Sequence, residues 1–180
     1  MKGVVFNILA DMVESSYGIE AWDGLLLATG LEGVYVATES YPDEELYALV
    51  EAASKATGIE ASALVPAFGR YMMPAFVEQY PMFFPEGQTL KQFLLTVDAV
   101  VHKEVRKLFP DAGLPEFRYR DDRPDALTMV YRSPRRLCAL AEGLVQGAAD
   151  HFGERCRIAH DVCMHRGADR CELEMEFNAA

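Results

Sequence analysis

The sequence lacks the features that mark several common classes of protein. None of its apolar runs reaches the length of about 20 residues that a transmembrane helix needs, and its first residues contain no signal-peptide cleavage pattern. It also lacks an excess of positive charge, since the formal net charge of the 180 residues is −11. Nucleic acids and anionic membranes both require a basic surface. We therefore expect a cytoplasmic protein that binds neither.

The usual sequence signatures of catalysis are missing as well. There is no glycine-rich loop for a phosphate, no recognisable pair of nucleophile and base, and no pair of carboxylates at a catalytic spacing. A chain of this length forms one domain that can bury a small cofactor completely. We therefore expect a protein that binds a cofactor or senses a ligand, and not an enzyme.

The hydrophobic pattern predicts an α+β fold. A period of 3.6 residues predicts helices in the first part of the chain, at 2–16, 20–29, 40–58, 60–80 and 89–108. Thr89 and Gln92 form a capping box at the start of the last of these. We expect Pro74 to kink or interrupt its helix, because proline lacks the backbone donor. After residue 110 a period of two predicts strands, and together with one more helix the C-terminal elements are 115–120, 126–132, 135–151, 154–164 and 170–177.

The helix from Thr89 contains a histidine, His102, on an apolar side. Leu95, Ala99 and His102 form a line beside the main apolar stripe, which predicts a helix that is buried over most of its circumference. A buried histidine needs partners for its ring nitrogens. It is most often a core residue that is bonded to a backbone carbonyl. The alternative is a ligand of a metal or a heme iron, which requires a dry apolar setting.

A second group of polar residues follows about thirty positions later. If residues 131–135 are extended, Tyr131, Ser133 and Arg135 share one face, because side chains alternate along a strand. They would then place three hydrogen-bond donors side by side with little competing negative charge. Arginine binds carboxylates through two parallel hydrogen bonds, so this face suits a ligand with carboxylates. An exposed strand end followed by an arginine-rich helix start is the simpler interpretation of this stretch alone.

These residues resemble a known family, the heme-nitric oxide/oxygen binding (H-NOX) domains. The resemblance covers essentially the whole chain, and its motifs are the Met1-Lys2-Gly3 start, Asp98 to His102, Pro115, and Tyr131-x-Ser133-x-Arg135 leading to Gly143-Leu144. It implies a single domain, residues 1–180, in which a b-type heme is buried between a distal helical subdomain (about 1–60) and a proximal α/β subdomain (61–180) with a four-stranded antiparallel sheet. His102 would be the proximal iron ligand. Tyr131, Ser133 and Arg135 would contact the heme propionates, and Pro115 would press on the macrocycle and bend it.

The resemblance also predicts which residues line the distal side of the heme. Members of the family that hold oxygen stably have a hydrogen-bonding network there, centred on a tyrosine. At the corresponding positions this chain has only side chains without a useful donor, namely Val5, Leu9, Met72, Phe76, Leu140 and Leu144. One hydrogen bond to bound oxygen contributes roughly 1.5 to 3 kcal/mol, on the order of ten- to a hundredfold in affinity. The sequence therefore predicts a sensor of nitric oxide that also accepts carbon monoxide and disfavours oxygen.

The resemblance implies a route for the signal. Nitric oxide weakens the bond between iron and the proximal histidine, so that His102 is released, the heme relaxes away from Pro115, and the N-terminal helices rotate. Bacterial stand-alone members commonly report to a separate signalling enzyme. The expected partner is therefore a histidine kinase or a cyclic-di-GMP synthase or phosphodiesterase.

All four cysteines lie in the last quarter of the chain, three of them near two histidines. Clustered Cys and His in a reducing compartment indicate a metal more than disulfides. Some members of the family have a structural zinc, and the resemblance assigns its ligands here to Cys138, His160, Cys163 and Cys171. Cys156 or His165 in place of His160 is the main alternative, and buried free thiols are the simplest one. Two other functions stay open: a module for a non-heme small molecule, and a redox sensor based on the thiols or zinc.

Overall fold

The computed structural model of the protein describes residues 1–179 and confirms the α+β fold. Four helices come first, and a middle helix with a π-helical segment leads into a region of strands. The helices are α1 (Gly3–Tyr17), α2 (Ile19–Thr29), α3 (Asp43–Thr57), α4 (Ala61–Gln79), α5 (Leu90–Thr96), α6 (Lys103–Leu108) and α7 (Cys138–Phe152). The strands are β1 (Glu116–Arg120), β2 (Ala126–Arg132), β3 (Glu154–Ala159) and β4 (Cys171–Ala179). Within residues 1–179, no helix is both long and apolar enough to cross a bilayer.

The four strands form one antiparallel sheet in the order β1-β2-β4-β3. The register pairs Phe117 with Tyr131, and Tyr131 in turn with Cys171. The sheet therefore places the start of the Tyr131 motif beside a cysteine of the C-terminal cluster. This confirms the predicted four-stranded antiparallel sheet.

Close contact between α4 and α7 holds the molecule together. A Cβ atom built on Gly143 would lie 2.0 Å from the carbonyl oxygen of Pro66, and one on Gly69 would lie 2.4 Å from that of Leu140. Only glycine allows the two backbones to approach this closely, as in helix pairs with small residues at the crossing. The same crossing therefore positions Leu140 on α7 against α4.

Pro74 does not interrupt α4, so that part of the expectation that it would kink or interrupt its helix is wrong. The helix runs without a break from Ala61 to Gln79, with Pro66 and Pro74 inside it. Pro74 removes the N–H that would bond to the carbonyl of Arg70, four residues earlier. That carbonyl packs against the backbone of Gly147, since a Cβ there would lie 2.7 Å from the Arg70 oxygen. The carbonyl group that loses its helical donor therefore lies inside the contact between α4 and α7.

The predicted helix 89–108 is not uniform. Thr89 and Gln92 form the predicted capping box, but residues Val97–His102 are a π-helix between α5 and α6. A π-helical turn inserts about one extra residue and rotates the apolar face. Leu90 and Leu94, before the π-helical turn, are buried, whereas Leu108, at the end of the predicted helix, is 71% exposed. Ala99 is exposed as well, so the prediction of burial over most of the circumference is wrong for the second half.

Two boundaries differ from the predicted ones near the cysteines. Helix α7 begins at Cys138, not at residue 135, because Arg136 adopts a left-handed backbone with φ of 52°. Strand β3 ends at Ala159, and residues Met164–Arg166 form a short 3₁₀ turn. Cys163 therefore lies in a loop that turns back toward α7. These irregular segments bring the cysteines together.

The buried residues form two clusters. One combines α1, α2 and α3 with Phe68 and Met72 of α4 and Leu140 of α7. The other combines α5, α7 and the inner face of the sheet, with Met73 of α4. Helices α4 and α7 belong to both clusters. The division into two subdomains near residue 60 stays a prediction.

Candidate functional site

His102 ends the π-helical segment and is partly buried. Its Nδ1 atom lies 3.4 Å from Oδ1 of Asp98, one turn earlier, and Arg106 donates to the same carboxylate atom at 3.1 Å. The ring stacks on Phe117 of β1 with 5.3 Å between centroids. Burial lowers the pKa of His102, and Asp98 opposes this only in part. The neutral imidazole therefore dominates at pH 7, and with Nδ1–H facing Asp98, Nε2 has the free lone pair that binds a metal.

Tyr131 and Ser133 lie at the end of β2, close to Phe117. The Tyr131 ring is 5.8 Å from that of Phe117, between centroids. Its phenolic oxygen accepts a hydrogen bond from the backbone N–H of Leu137 at 2.9 Å. The Ser133 hydroxyl oxygen accepts one from the N–H of Arg135 at 3.2 Å. Both oxygens thus act as acceptors here, and the two hydroxyl groups also lie within hydrogen-bonding reach of each other.

Arg135 does not extend the strand, contrary to the geometry assumed from the sequence. Strand β2 ends at Arg132, and Arg135 lies in a turn. Its Nε donates to Asp43 Oδ2 at 2.6 Å, and Nη1 donates to the carbonyl oxygen of Gly113 at 2.5 Å. The expected lack of competing negative charge near Arg135 is therefore wrong. Asp43 also binds the amino group of Met1 at 2.8 Å, so it joins the N-terminus to the Arg135 turn.

The loop that carries Pro115 is tied to the N-terminal region by a second polar contact. Lys2 Nζ lies 2.9 Å and 3.0 Å from the two carboxylate oxygens of Asp111, and the Ser40 hydroxyl donates to the same group at 2.5 Å. Lys2 also lies 4.9 Å from the centroid of the Phe109 ring. Lys2 and Ser40 thus hold the first part of the loop between α6 and β1, and Arg135 holds Gly113 in its second part.

The six residues predicted for the distal side come together in the structure. They belong to one apolar cluster between α1, α4 and α7, to which each helix contributes two. The residues are Val5, Leu9, Met72, Phe76, Leu140 and Leu144. None of these side chains has an N–H or O–H group, so this surface offers a ligand no side-chain hydrogen-bond donor.

A separate cluster forms between α7 and the loops of the last hairpin. The candidate ligand atoms of Cys138, His160, Cys163 and Cys171 all lie within 4.8 Å of one another. The Sγ atom of Cys163 is 3.9 Å from those of Cys138 and Cys171. Burial raises the pKa of the Cys138 and Cys171 thiols. A divalent cation would offset that cost, because metal binding favours the thiolate.

His160 supplies the sharpest sign of a metal in this cluster. Its Nε2 atom is buried and has no hydrogen-bond partner among the described residues. Its Nδ1 atom is bonded to the carboxylate of Glu142 on α7. A buried polar atom without a partner is costly, and a metal ion would remove that cost. The three thiols and this nitrogen fit a tetrahedral zinc ion.

The alternative ligands lie elsewhere. His165 Nε2 donates to the backbone carbonyl of Arg136 at 2.7 Å. Cys156 lies on β3, half-buried, and its thiol is outside the group of close ligand atoms. The geometry therefore favours His160 over both alternatives.

Sequence reasoning missed three residues that support these groups. Asp98 contacts His102, Glu142 contacts His160, and Asp43 contacts Arg135. The spacing of four residues between Asp98 and His102 could have indicated the first pair, since such residues are neighbours on a helix. The other two pairs join distant parts of the chain, and no local pattern marks them.

The fold and these groups agree with one class of protein, the domains that bind heme and a diatomic gas. The Haem-NO-binding family matches residues 2–160. The structure of an H-NOX protein from S. oneidensis in the Fe(II)NO ligation state is 34% identical, covers 99% of both chains, and has a TM-score of 0.93. That of the Fe(II) unliganded H-NOX protein from K. algicida is 26% identical, covers 100% of this chain and 98% of that one, and has a TM-score of 0.90.

A longer relative matches over part of its length. Soluble guanylate cyclase gcy-31 of Caenorhabditis elegans is 24% identical over 139 residues, which are 76% of this chain and 20% of that protein. The chain therefore spans about a fifth of this relative. Since the family match extends over most of the sequence, the chain belongs to the Haem-NO-binding (H-NOX) family, whose members bind heme and sense gases.

Proposed function

We propose that the protein is a nitric oxide sensor that binds a ferrous b-type heme with His102 as the proximal ligand. One observation carries this proposal: in a chain of the Haem-NO-binding family, Nδ1 of the partly buried His102 faces the Asp98 carboxylate at 3.4 Å, which leaves Nε2 to bind a metal. A neutral imidazole with its second nitrogen bonded to a carboxylate is the usual state of a metal-binding histidine. The bound heme supplies the iron atom to which the gas binds.

Three polar residues would hold the heme propionates. Tyr131 and Ser133 would donate through their hydroxyl groups, and the Nη2 group of Arg135 has no hydrogen-bond partner among the described residues. Arg135 would therefore contact a propionate while it keeps its bond to Asp43. Charge-assisted bonds of this kind are about twice as strong as neutral ones.

The apolar surface of the six distal residues would decide which gas is held. Bound oxygen is strongly polarised and gains from a donor, whereas nitric oxide and carbon monoxide gain much less. Because none of the six side chains can donate, oxygen loses roughly 1.5 to 3 kcal/mol relative to a pocket with a tyrosine. We expect nitric oxide and carbon monoxide to bind and oxygen to bind poorly.

The contacts of the α6–β1 loop suggest how the signal would travel. Release of His102 would free the π-helical segment and α6, which lead directly into the loop with Asp111, Gly113 and Pro115. Pro115 would contact the macrocycle, and the loop is bonded to Lys2 and Ser40. A shift of the loop would therefore pull on the N-terminal helices. The domain would then have two conformations, and binding of the gas would favour one of them.

The partner would be a signalling enzyme, and the domain itself would not be catalytic. The match to part of a protein named as a guanylate cyclase supports a link to nucleotide signalling. The partner that we propose is a histidine kinase or a cyclic-di-GMP synthase or phosphodiesterase.

A structural zinc ion is the second part of the proposal. Cys138, His160, Cys163 and Cys171 would be its four ligands, which leaves no open position for chemistry. The ion would tie α7 to the last hairpin of the sheet.

The decisive experiment is an absorption spectrum of the reduced protein in argon, in air, and with nitric oxide. We expect a five-coordinate ferrous Soret band that does not change in air over minutes and shifts with nitric oxide. His102→Ala should lose this band or require added imidazole to restore it, while the matched variant His151→Ala, at an exposed histidine of α7, should keep it. A stable oxygen complex would contradict the apolar-pocket argument. Absence of a Soret band after reconstitution would contradict the whole proposal.

The close thiols favour one second candidate, a redox sensor based on the cysteines. Three Sγ atoms with contacts of 3.9 Å can form a disulfide on oxidation, which would eject a bound metal. If a partner enzyme responds to peroxide while the ferrous heme stays unliganded, this function is favoured. A response to nitric oxide alone would exclude it.

A further inference from the structure

The two ring nitrogens of His160 have different surroundings. Nδ1 is bonded to the carboxylate of Glu142, and Nε2 is buried without a hydrogen-bond partner in the described part of the chain. A carboxylate accepts hydrogen bonds and cannot donate them when it is ionised, so Nδ1 carries the hydrogen. With the hydrogen on Nδ1, the ring has its lone pair on Nε2. This is the atom that remains for a metal.

Glu142 lies where it can serve this purpose. It is four residues after Cys138 on α7, so both residues lie on the same face of the helix. Helix α7 thus carries the candidate metal ligand Cys138 and, one turn later, the hydrogen-bond partner of His160. The Glu142 side chain is 31% exposed and that of His160 is 14% exposed, so the bond lies at the edge of the cluster.

The backbone around His160 is held from the other side. Arg166 donates to the carbonyl oxygens of His160 and of Asp161, the latter at 2.8 Å. Its positive charge lies beside a group that would contain three thiolates and a carboxylate. Both the ring and the backbone of His160 are therefore held by charged residues from different elements.

We propose that Glu142 is a positioning residue for the metal of this cluster. This inference rests on the proposed zinc site. By accepting the Nδ1–H bond, Glu142 holds His160 in the tautomer and orientation that direct Nε2 to the ion, and it makes the imidazole a stronger ligand. Such carboxylate–histidine–metal arrangements typically change metal affinity by about 10- to 100-fold when the outer partner is removed.

A purely structural role of Glu142 makes a different prediction. A bond between a half-exposed glutamate and a histidine contributes to the stability of the fold, whether or not a metal is present. In that case its removal lowers the free energy of unfolding and leaves metal affinity unchanged. A measurement of metal affinity therefore separates the two roles.

The test is a competition for Zn²⁺ between the full-length protein and a chromophoric chelator. We expect Glu142→Ala to weaken binding about 10- to 100-fold. Glu142→Gln should recover most of the affinity, because its amide oxygen still accepts the Nδ1–H bond. Glu142→Met fills the space without an acceptor and should behave like Glu142→Ala, which covers the case that the alanine variant does not fold.

The same helix offers a matched control. Asp150 is also an acidic residue of α7, and it pairs with the exposed Arg70 at 2.5 Å, two turns beyond Glu142. Asp150→Asn should leave the affinity for Zn²⁺ unchanged. Replacement of zinc by Co²⁺ gives an independent readout: the d–d bands should shift in Glu142→Ala, while the thiolate-to-metal bands keep their intensity because all three thiolates remain.

The outcomes separate this inference from the proposal on which it rests. If the wild-type protein and His160→Ala bind Zn²⁺ equally weakly, the zinc site itself is wrong. If the wild-type protein binds tightly and His160→Ala does not, the site is right. Under that condition, wild-type affinity and wild-type cobalt bands in both Glu142→Ala and Glu142→Met would overturn the positioning role.

Discussion

The two candidate metal-binding regions are built differently around their histidines. In the cluster, four ligand atoms lie within 4.8 Å, and Glu142 reaches His160 from another element. In the proposed heme region, Asp98 contacts His102 from the same helix at 3.4 Å, and the other candidate residues come from α1, α4, α7, β2 and the α6–β1 loop. A small ion with four protein ligands can be held by local structure, whereas a large cofactor draws on most of the fold. The cysteine–histidine cluster should therefore tolerate few substitutions at its four ligand residues. The proposed heme region should tolerate substitutions that change only its affinity for a ligand.

Removal of one cluster ligand should have the largest effect. We expect Cys163→Ser to lower Zn²⁺ affinity by several orders of magnitude, because a buried hydroxyl replaces a thiolate ligand. Metal content of the purified protein and chelator competition would measure this. Cys156→Ser, outside the cluster, is the matched control and should keep the metal. If Cys163→Ser also removed the ferrous Soret band, the two regions would not be independent.

A donor added to the distal surface should change ligand choice by a smaller factor. Leu140→Tyr places a hydroxyl among side chains that have none, so we expect oxygen affinity to rise about ten- to a hundredfold. Oxygen titration followed by absorption would measure it. The phenylalanine of Leu140→Phe has nearly the same volume as the tyrosine but lacks the hydroxyl group. This variant should not bind oxygen better than the wild type. Equal oxygen binding by both variants would show that volume, not the donor, controls the ligand.

A change at the helix crossing should affect both regions, since α7 carries Cys138 on one side and Leu140 on another. Gly143→Ala places a Cβ atom 2.0 Å from a backbone oxygen of α4, and we expect a loss of about 1 to 3 kcal/mol in the free energy of unfolding. Chemical denaturation would measure it. Gly24→Ala, in α2 with nothing within 4 Å of the new Cβ, should instead stabilise by up to about 1 kcal/mol. An equal change in the free energy of unfolding in both variants would mean that α4 and α7 can move apart at little cost in free energy.

The smallest effect should come from the polar contact at Asp43. Burial raises the pKa of Asp43, but hydrogen bonds from the Met1 amino group and Arg135 outweigh it, so the pKa lies below its ordinary value of 3.8. Stability from this group is therefore fully present above about pH 4 and is lost as pH falls through the lower, folded-state pKa.

Asp43→Asn should lower the free energy of unfolding at pH 7 by about 1 kcal/mol or less and flatten its decrease below pH 4. Denaturation series at several pH values would measure this. Glu44→Gln changes the neighbouring exposed acid, which has no ion pair among residues 1–179, and should leave the profile unchanged. An unchanged profile in Asp43→Asn would show that the contact does not stabilise the fold.

Residue patterns predicted much of the fold and the family of this protein. The alternation of periods of 3.6 and two determined the order of helices and strands, because each period reflects which faces a local segment buries. The capping box at Thr89 and the cysteines in the last quarter were equally local signals. The resemblance of the motifs around His102 and Tyr131 identified the family, which the comparisons confirm.

Only the tertiary structure decided how distant residues meet. Asp43 engages Arg135, Gly147 packs against the carbonyl that Pro74 leaves without a donor, and the π-helical turn rotates the face on which His102 lies. In the cluster, the structure selects His160 over His165 and pairs it with Glu142. A local sequence pattern records which face of a segment is buried, but not what another part of the chain places against that face. The contact at Gly147 depends on the close packing of α4 and α7, which the sequence marks only by three glycines.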